Sequence, residues 1–173
     1  GEDMTEQEKR ELQQRVQSVI ERVNNAAVKA GRDPKEITLV AATKMNDAER
    51  VQIAIEAGIK VCGENRVQEL QEKYEQNAYA GADLQFIGTL QTNKVKYLIG
   101  KVSLIQSVGS VHLGEAIAKE AEKRGVCQDI LLEVNIGRET AKSGLPPEEL
   151  HDAIVKLSAK KSVHNRGLMA IPP

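Results

Sequence analysis

Apolar residues in the first thirty positions recur at helical spacing. Leu12, Val16, Val19, Ile20 and Val23 fall on one stripe, and Thr5 stands three residues before Glu8 as a capping box, so the pattern predicts a helix over 5–30 that closes near Gly31. The period then changes. Ile37 to Thr43 is a short, nearly continuous apolar run, the signature of a strand buried on both faces of a parallel sheet. Asn46 or Asp47 can cap a following helix through Ala57, which Gly58 ends.

The same unit repeats down the chain. Ile59–Cys62 predicts a strand and 65–76 a helix; Leu84–Ile87 predicts a strand and 92–99 a helix. Leu104–Gln106 and Ile130–Val134 are the next strands, separated by a helix over 112–124 that Gly125 stops. A loop holding Gly144, Pro146 and Pro147 leads into a helix over 147–159, and 167–171 is a sixth apolar run. Strand and helix alternate throughout, which predicts an α/β fold with right-handed crossovers. With no low-complexity linker and no shift of composition, residues 1–173 are expected to form a single domain. A doubly wound open sheet and a (β/α)8 barrel both fit this alternation.

Composition narrows the classes of partner. Lys and Arg total 24 against 25 Asp and Glu, a formal charge of -1, so no large field steers the chain toward nucleic acid or an anionic membrane. Hydrophobic residues make up 40 %, yet no eighteen consecutive apolar residues occur that could span a bilayer. The first residues carry no basic region followed by an apolar core, and Cys62 and Cys127 stand outside any CxxC spacing; both features predict a reducing, cytoplasmic setting. Aromatic residues are only 2 %, so the core must be aliphatic and base-stacking platforms are disfavoured.

Ligands of parallel α/β folds bind outside the carboxyl ends of the strands, which directs attention to Thr43-Lys44, Gly63-Glu64-Asn65, Gly88-Thr89, Ser107, Asn135 and Met169 to Pro173. Gly, Asn and Ser at such places are ordinary turn and cap residues in most proteins. Lys44 differs. A lysine directly after a buried strand holds its amine over the mouth of the sheet, where neighbours can desolvate it and favour the neutral, nucleophilic form. Its product would be a Schiff base, with a sugar-type substrate or with an aldehyde cofactor such as pyridoxal phosphate; a solvated surface lysine is the plain alternative. GxGxxG and GxxxxGK[ST] are absent, and His112, His151 and His164 share no metal-ligand spacing, so no dinucleotide, P-loop or metal site is expected.

Five segments stand out together: Leu39-Val40-Ala41-Ala42-Thr43-Lys44, Gly63-Glu64-Asn65-Arg66-Val67-Gln68-Glu69, Phe86 to Lys94, Leu132-Glu133-Val134-Asn135-Ile136 followed by Lys142-Ser143-Gly144, and Gly167-Leu168-Met169-Ala170-Ile171-Pro172. In this order they resemble the pyridoxal phosphate homeostasis protein family. The resemblance implies a barrel like the alanine racemase N-terminal domain, fold type III among pyridoxal phosphate proteins, with the cofactor held as an internal aldimine on Lys44. It also implies that Asn65, Ile87, Gly88, Ser107, Asn135 and Met169 surround the cofactor. Members of the family look like carriers or buffers of vitamin B6 without robust catalysis, so the recipients implied are apo-enzymes that use pyridoxal phosphate. A monomer that engages neither nucleic acid nor membrane is expected. The alternative is a racemase-like enzyme, whose second base would have to come from Tyr74, Tyr79 or Tyr97, all in or near predicted helices.

The chain departs from the family pattern in three places. Leu84-Gln85 stands where Trp-His is usual, Gly109 stands where Asp is usual, and family members continue past the Gly-Leu-Met-Ala-Ile-Pro segment for two further βα units. The expectation is therefore an incomplete barrel of about six βα units, lacking the loops that usually cradle the phosphate.

Overall fold

The computed structural model describes residues 3–137 and 143–173. The chain divides into two compact units, Gly1–Gly63 with Glu69–Asp83, and Glu64–Gln68 with Leu84–Pro173.

The first unit opens with α1 (Glu6–Lys29). Thr5 and Glu8 close the predicted capping box: the Glu8 N–H donates to Thr5 Oγ1 at 3.1 Å and the Thr5 N–H to Glu8 Oε1 at 3.2 Å. The backbone N–H and hydroxyl of Thr5 hold the Glu8 carboxyl below the usual glutamate pKa. After a 3-10 turn at Pro34–Glu36 come β1 (Ala41–Ala42), α2 (Ala48–Glu56), β2 (Val61–Glu64, whose last residue belongs to the second unit) and α3 (Val67–Glu75, whose first two residues belong to the second unit). Of the two candidate caps, Asn46 and Asp47, it is Asp47 that caps α2, accepting the Arg50 N–H at 3.0 Å.

β1 and β2 pair in parallel, with Ala41 opposite Cys62 and Ala42 opposite Gly63. The expected seven-residue buried strand is thus shorter, and only half-buried. Among the described residues β1 has β2 as its one ladder partner, and Leu39 and Val40 instead line a groove of about 320 Å³ with Leu12, Val16 and Val19 of α1 and Val51 of α2. An apolar run therefore marks a strand without showing whether both of its edges are used.

The second unit contains β3 (Asp83–Phe86, whose first residue belongs to the first unit), β4 (Leu104–Val108), α4 (Val111–Lys123), β5 (Gln128–Glu133), α5 (Leu150–Ser158) and β6 (Val163–Met169). β3 pairs with β4, β4 with β5 and β5 with β6, all in parallel. Neighbours in space are neighbours in sequence. A doubly wound sheet reverses its strand order at a switch point, whereas this progression is the winding of a barrel. Phe86, Ile105, Ile117, Ile130 and Leu132 are fully buried, so the core is aliphatic around the chain's one phenylalanine.

Besides β1, three elements of the second unit differ from the sequence pattern. Residues 92–97 form a 3-10 helix, Thr92–Tyr97, rather than an α-helix. Its N-cap residue Gln91 makes no side-chain cap bond, and the guanidinium of Arg124 takes the carbonyls of Lys96 at 2.6 Å and Ile99 at 2.8 Å. The last helix begins with a 3-10 turn, Pro147–Glu149, before α5. β6 starts at Val163, ahead of the apolar run, because its first residues alternate inward and outward. His164 and Arg166 stand on the outer face, where they meet Asp129 of β5 at 3.3 and 3.7 Å. Among the described residues no helix is long and apolar enough to cross a membrane.

Candidate functional site

In the first unit the chemistry gathers at the turn after β1. Thr43 is buried, its N–H donating to the Gly63 carbonyl at 3.0 Å and its hydroxyl to the same oxygen at 3.3 Å, which anchors the end of β1 on β2. Lys44 follows immediately and is exposed. The desolvation expected of its amine is therefore not supplied by the first unit. Strand β1 is too short and too open at its end to bury a side chain placed beyond it.

The backbone around Lys44 is held firmly. Met45 adopts a positive φ of 64° with its side chain 93 % exposed, a conformation uncommon for an unbranched non-glycine residue. The Asn46 N–H donates to the Thr43 carbonyl at 3.1 Å and Asn46 Nδ2 to the Lys44 carbonyl at 3.2 Å. From α3, Lys73 Nζ donates to the Thr43 carbonyl at 2.7 Å, and Glu69 Oε2 accepts the Met45 N–H at 2.7 Å. Lys73 and Glu69 are themselves paired at 2.6 Å.

The other predicted residues belong to the second unit, and all of them sit at carboxyl ends of strands. Asn65 follows β2, Ile87 and Gly88 follow β3, Ser107 lies in the last turn of the β4 ladder, Asn135 follows β5, and Met169 ends β6. Gly88 and Ser107 are buried; Asn65, Ile87, Asn135 and Met169 are half-buried.

Backbone bonds tie these ends together. The Ile87 N–H donates to the Glu64 carbonyl at 2.8 Å, and the Ser107 hydroxyl lies 3.4 Å from the Ile87 carbonyl. The Val134 N–H donates to the Met169 carbonyl at 2.9 Å, and the Asn135 N–H to the Leu145 carbonyl at 2.8 Å. At Gly88 the approach is closest: a Cβ there would stand 2.1 Å from the Asn65 carbonyl oxygen. Only glycine fits such a contact. Lys142, part of the Lys142-Ser143-Gly144 segment, lies outside the described residues.

Both local departures from the family pattern have a physical account. Leu84 and Gln85 are buried, and Gln85 Oε1 accepts the side-chain amide of Gln106 at 2.8 Å, so the pair is packed and satisfied. At Gly109 a Cβ would lie 3.1 Å from the Gly144 nitrogen and 3.8 Å from an oxygen of buried Glu133, whose other oxygen accepts the Ser143 hydroxyl at 2.9 Å. An aspartate there would crowd the Gly144 backbone and set a second carboxylate beside the first.

Sequence reasoning misses Lys73, and it assigns Glu69 no role beyond its place in a family segment. A Glu four residues before a Lys on a helix reads by default as a surface pair worth a few tenths of a kcal/mol. Burial of Lys73 distinguishes this one, and burial of a lysine is not visible in a single sequence.

Comparison with known proteins converges on one family. The profile described as alanine racemase, N-terminal domain, matches residues 13–173. The pyridoxal phosphate homeostasis protein of Aquifex aeolicus is 42 % identical over 160 residues, which cover 92 % of this chain and 70 % of the relative. Among solved structures, an unknown protein from Bifidobacterium adolescentis superposes with a TM-score of 0.89 at 34 % identity, over 99 % of this chain and 73 % of its own. PipY of Synechococcus elongatus PCC7942, solved with PLP bound, superposes with a TM-score of 0.74 at 30 % identity, over 87 % of this chain and 70 % of its own.

Proposed function

The chain belongs to the alanine racemase N-terminal domain family, with pyridoxal phosphate homeostasis proteins as its relatives, and on that premise we propose that it binds pyridoxal 5'-phosphate through Lys44 and carries or buffers it. The observation that carries this reading is the position of Lys44, an exposed primary amine on a firmly held turn directly after β1. When bound, the cofactor supplies an aldehyde that condenses reversibly with such an amine and releases water.

Each unit, taken by itself, offers groups that suit the aldehyde and the ring of that cofactor. Lys44 offers the amine. In the second unit the side-chain amides of Asn65 and Asn135 and the hydroxyl of Ser107 offer neutral hydrogen bonds, Gly88 brings bare backbone to the strand ends, and Ile87 and Met169 offer apolar contact. We assign these six residues to the cofactor surroundings. An exposed attachment lysine favours exchange with free cofactor over permanent sequestration, as a carrier requires. The recipients on this reading are apo-enzymes that use the same cofactor, met in the cytoplasm by a monomer.

The test is direct. Protein mixed with pyridoxal phosphate should gain visible absorbance, and borohydride should fix the cofactor on the peptide containing Lys44. Equal absorbance and labelling in Lys44→Ala would overturn the assignment, and sustained racemase turnover by the pure protein would replace the carrier reading with an enzymatic one.

A further inference from the structure

We propose that Glu69 and Lys73 form a positioning clamp that fixes the turn bearing Lys44 while leaving its side chain free to react. The proposal deepens the cofactor reading above and rests on it. Lys73 is only 6 % exposed, and a buried ammonium is costly unless partners surround it. Its partners include Glu69 Oε2 at 2.6 Å and the Thr43 carbonyl at 2.7 Å. The same carboxylate oxygen accepts the Met45 N–H at 2.7 Å.

One ion pair therefore holds both neighbours of Lys44. The carbonyl before it is taken by the cation and the N–H after it by the anion, and both bonds are of the charge-assisted kind. With these peptide groups fixed, the direction in which the Lys44 Cα–Cβ bond leaves the backbone is fixed too. The positive φ of Met45 belongs to the same arrangement: a conformation that costs free energy persists where its surroundings hold it. An apolar side chain at position 73 would fill the space at no charge cost, but it would hold neither bond. Holding the reactive amine's backbone in advance lowers the ordering cost of each binding event.

Amide hydrogen exchange at Met45, read without any cofactor, tests the clamp separately from the chemistry. Glu69→Ala and Lys73→Met should each speed that exchange roughly tenfold or more, the loss expected for one hydrogen bond to a charged group. Both should lower the apparent affinity for pyridoxal phosphate at Lys44, read by borohydride trapping, by a similar factor. Glu69→Gln and Lys73→Arg, which retain an acceptor and a cation, should recover much of each loss. Should Lys73→Met fail to fold by circular dichroism, the two Glu69 variants decide alone.

Met45 exchange that stays at the wild-type rate in Glu69→Ala overturns the clamp. Faster exchange with unchanged trapping overturns its positioning role. A wild-type chain that forms no Lys44 adduct overturns the cofactor reading instead, and with it any positioning role, even where the exchange rates show the turn to be held as described.

Discussion

The turn after β1 and the strand ends of the second unit are held by opposite means. Around Lys44 the fastening is side chain to backbone: an ion pair of buried Lys73 with half-buried Glu69 reaches from α3 to the Thr43 carbonyl and the Met45 N–H. At the ends of β3 and β5 the fastening is backbone to backbone, with glycine where the chains approach most closely. A side-chain clamp fixes a position yet can be retuned by substitution, because its atoms relax. A backbone contact has almost no room to relax. The first arrangement suits a site that must hold one reactive group, the second a rim that must keep its shape.

That contrast ranks the effects of substitution. Gly88→Ala should be the most damaging, since its Cβ would meet the Asn65 carbonyl oxygen at 2.1 Å, a backbone atom that can move only with β2. A loss of roughly 3 kcal/mol or more is expected in urea unfolding. A loss within about 0.5 kcal/mol, the usual range for a surface change, would show that the strand ends yield and that the contrast is false. Gly109→Asp should cost less, about 1–2 kcal/mol, because the nearest neighbour of its Cβ would stand at 3.1 Å, a crowding that a small shift relieves. Part of that cost arises from repulsion with Glu133, so Glu133→Gln in the same chain should recover some of it. Strict additivity of the two changes would remove the electrostatic part of the account.

Much of this ordering rests on facts that a sequence carries unevenly. The helices α1, α2 and α4 are legible because their signals are local: Thr5 with Glu8, Asp47, and Gly125 after the last turn. β6 is only half legible, since His164 and Arg166 on its outer face interrupt the apolar run while the ladder continues past them. Lys44 can be found from its place after an apolar run, and the family resemblance gives that place a chemistry. The exposure of Lys44 and the burial of Lys73 cannot be found so. Each depends on how far a strand is covered or a helix turned inward, and those are properties of packing between segments distant in sequence. Gly88 illustrates the same limit: the sequence offers a glycine at a strand end, but the close approach of the Asn65 backbone that leaves no room for a Cβ exists only in the fold.

Lys44→Ala sharpens the comparison from the other side. Because the clamp engages the backbone and leaves this side chain in solvent, its removal should change unfolding stability by less than about 0.5 kcal/mol while abolishing borohydride labelling at that position. A large loss of stability would mean that Lys44 itself helps hold the turn.

The smallest effect is expected where a carboxylate fastens backbone in the open. Glu8 accepts the Thr5 N–H much as Glu69 accepts the Met45 N–H, but it stands at the exposed start of α1, where water screens the interaction. Its pKa is lowered in the folded chain, chiefly by the Thr5 backbone N–H and then by the Thr5 hydroxyl. The sign follows from proton binding: the unfolded state takes up the proton first as acid is added. The stabilisation by the Glu8 charge is therefore complete above the ordinary glutamate pKa of about 4.3 and fades as the pH falls through the lower folded value. Thermal unfolding of the wild type and Glu8→Gln should differ slightly at neutral pH, and that difference should close in acid, the two curves meeting once Glu8 is protonated in both states. A gap that widens on acidification would reverse the sign of the shift and mean that the open carboxylate is not held by the helix start at all.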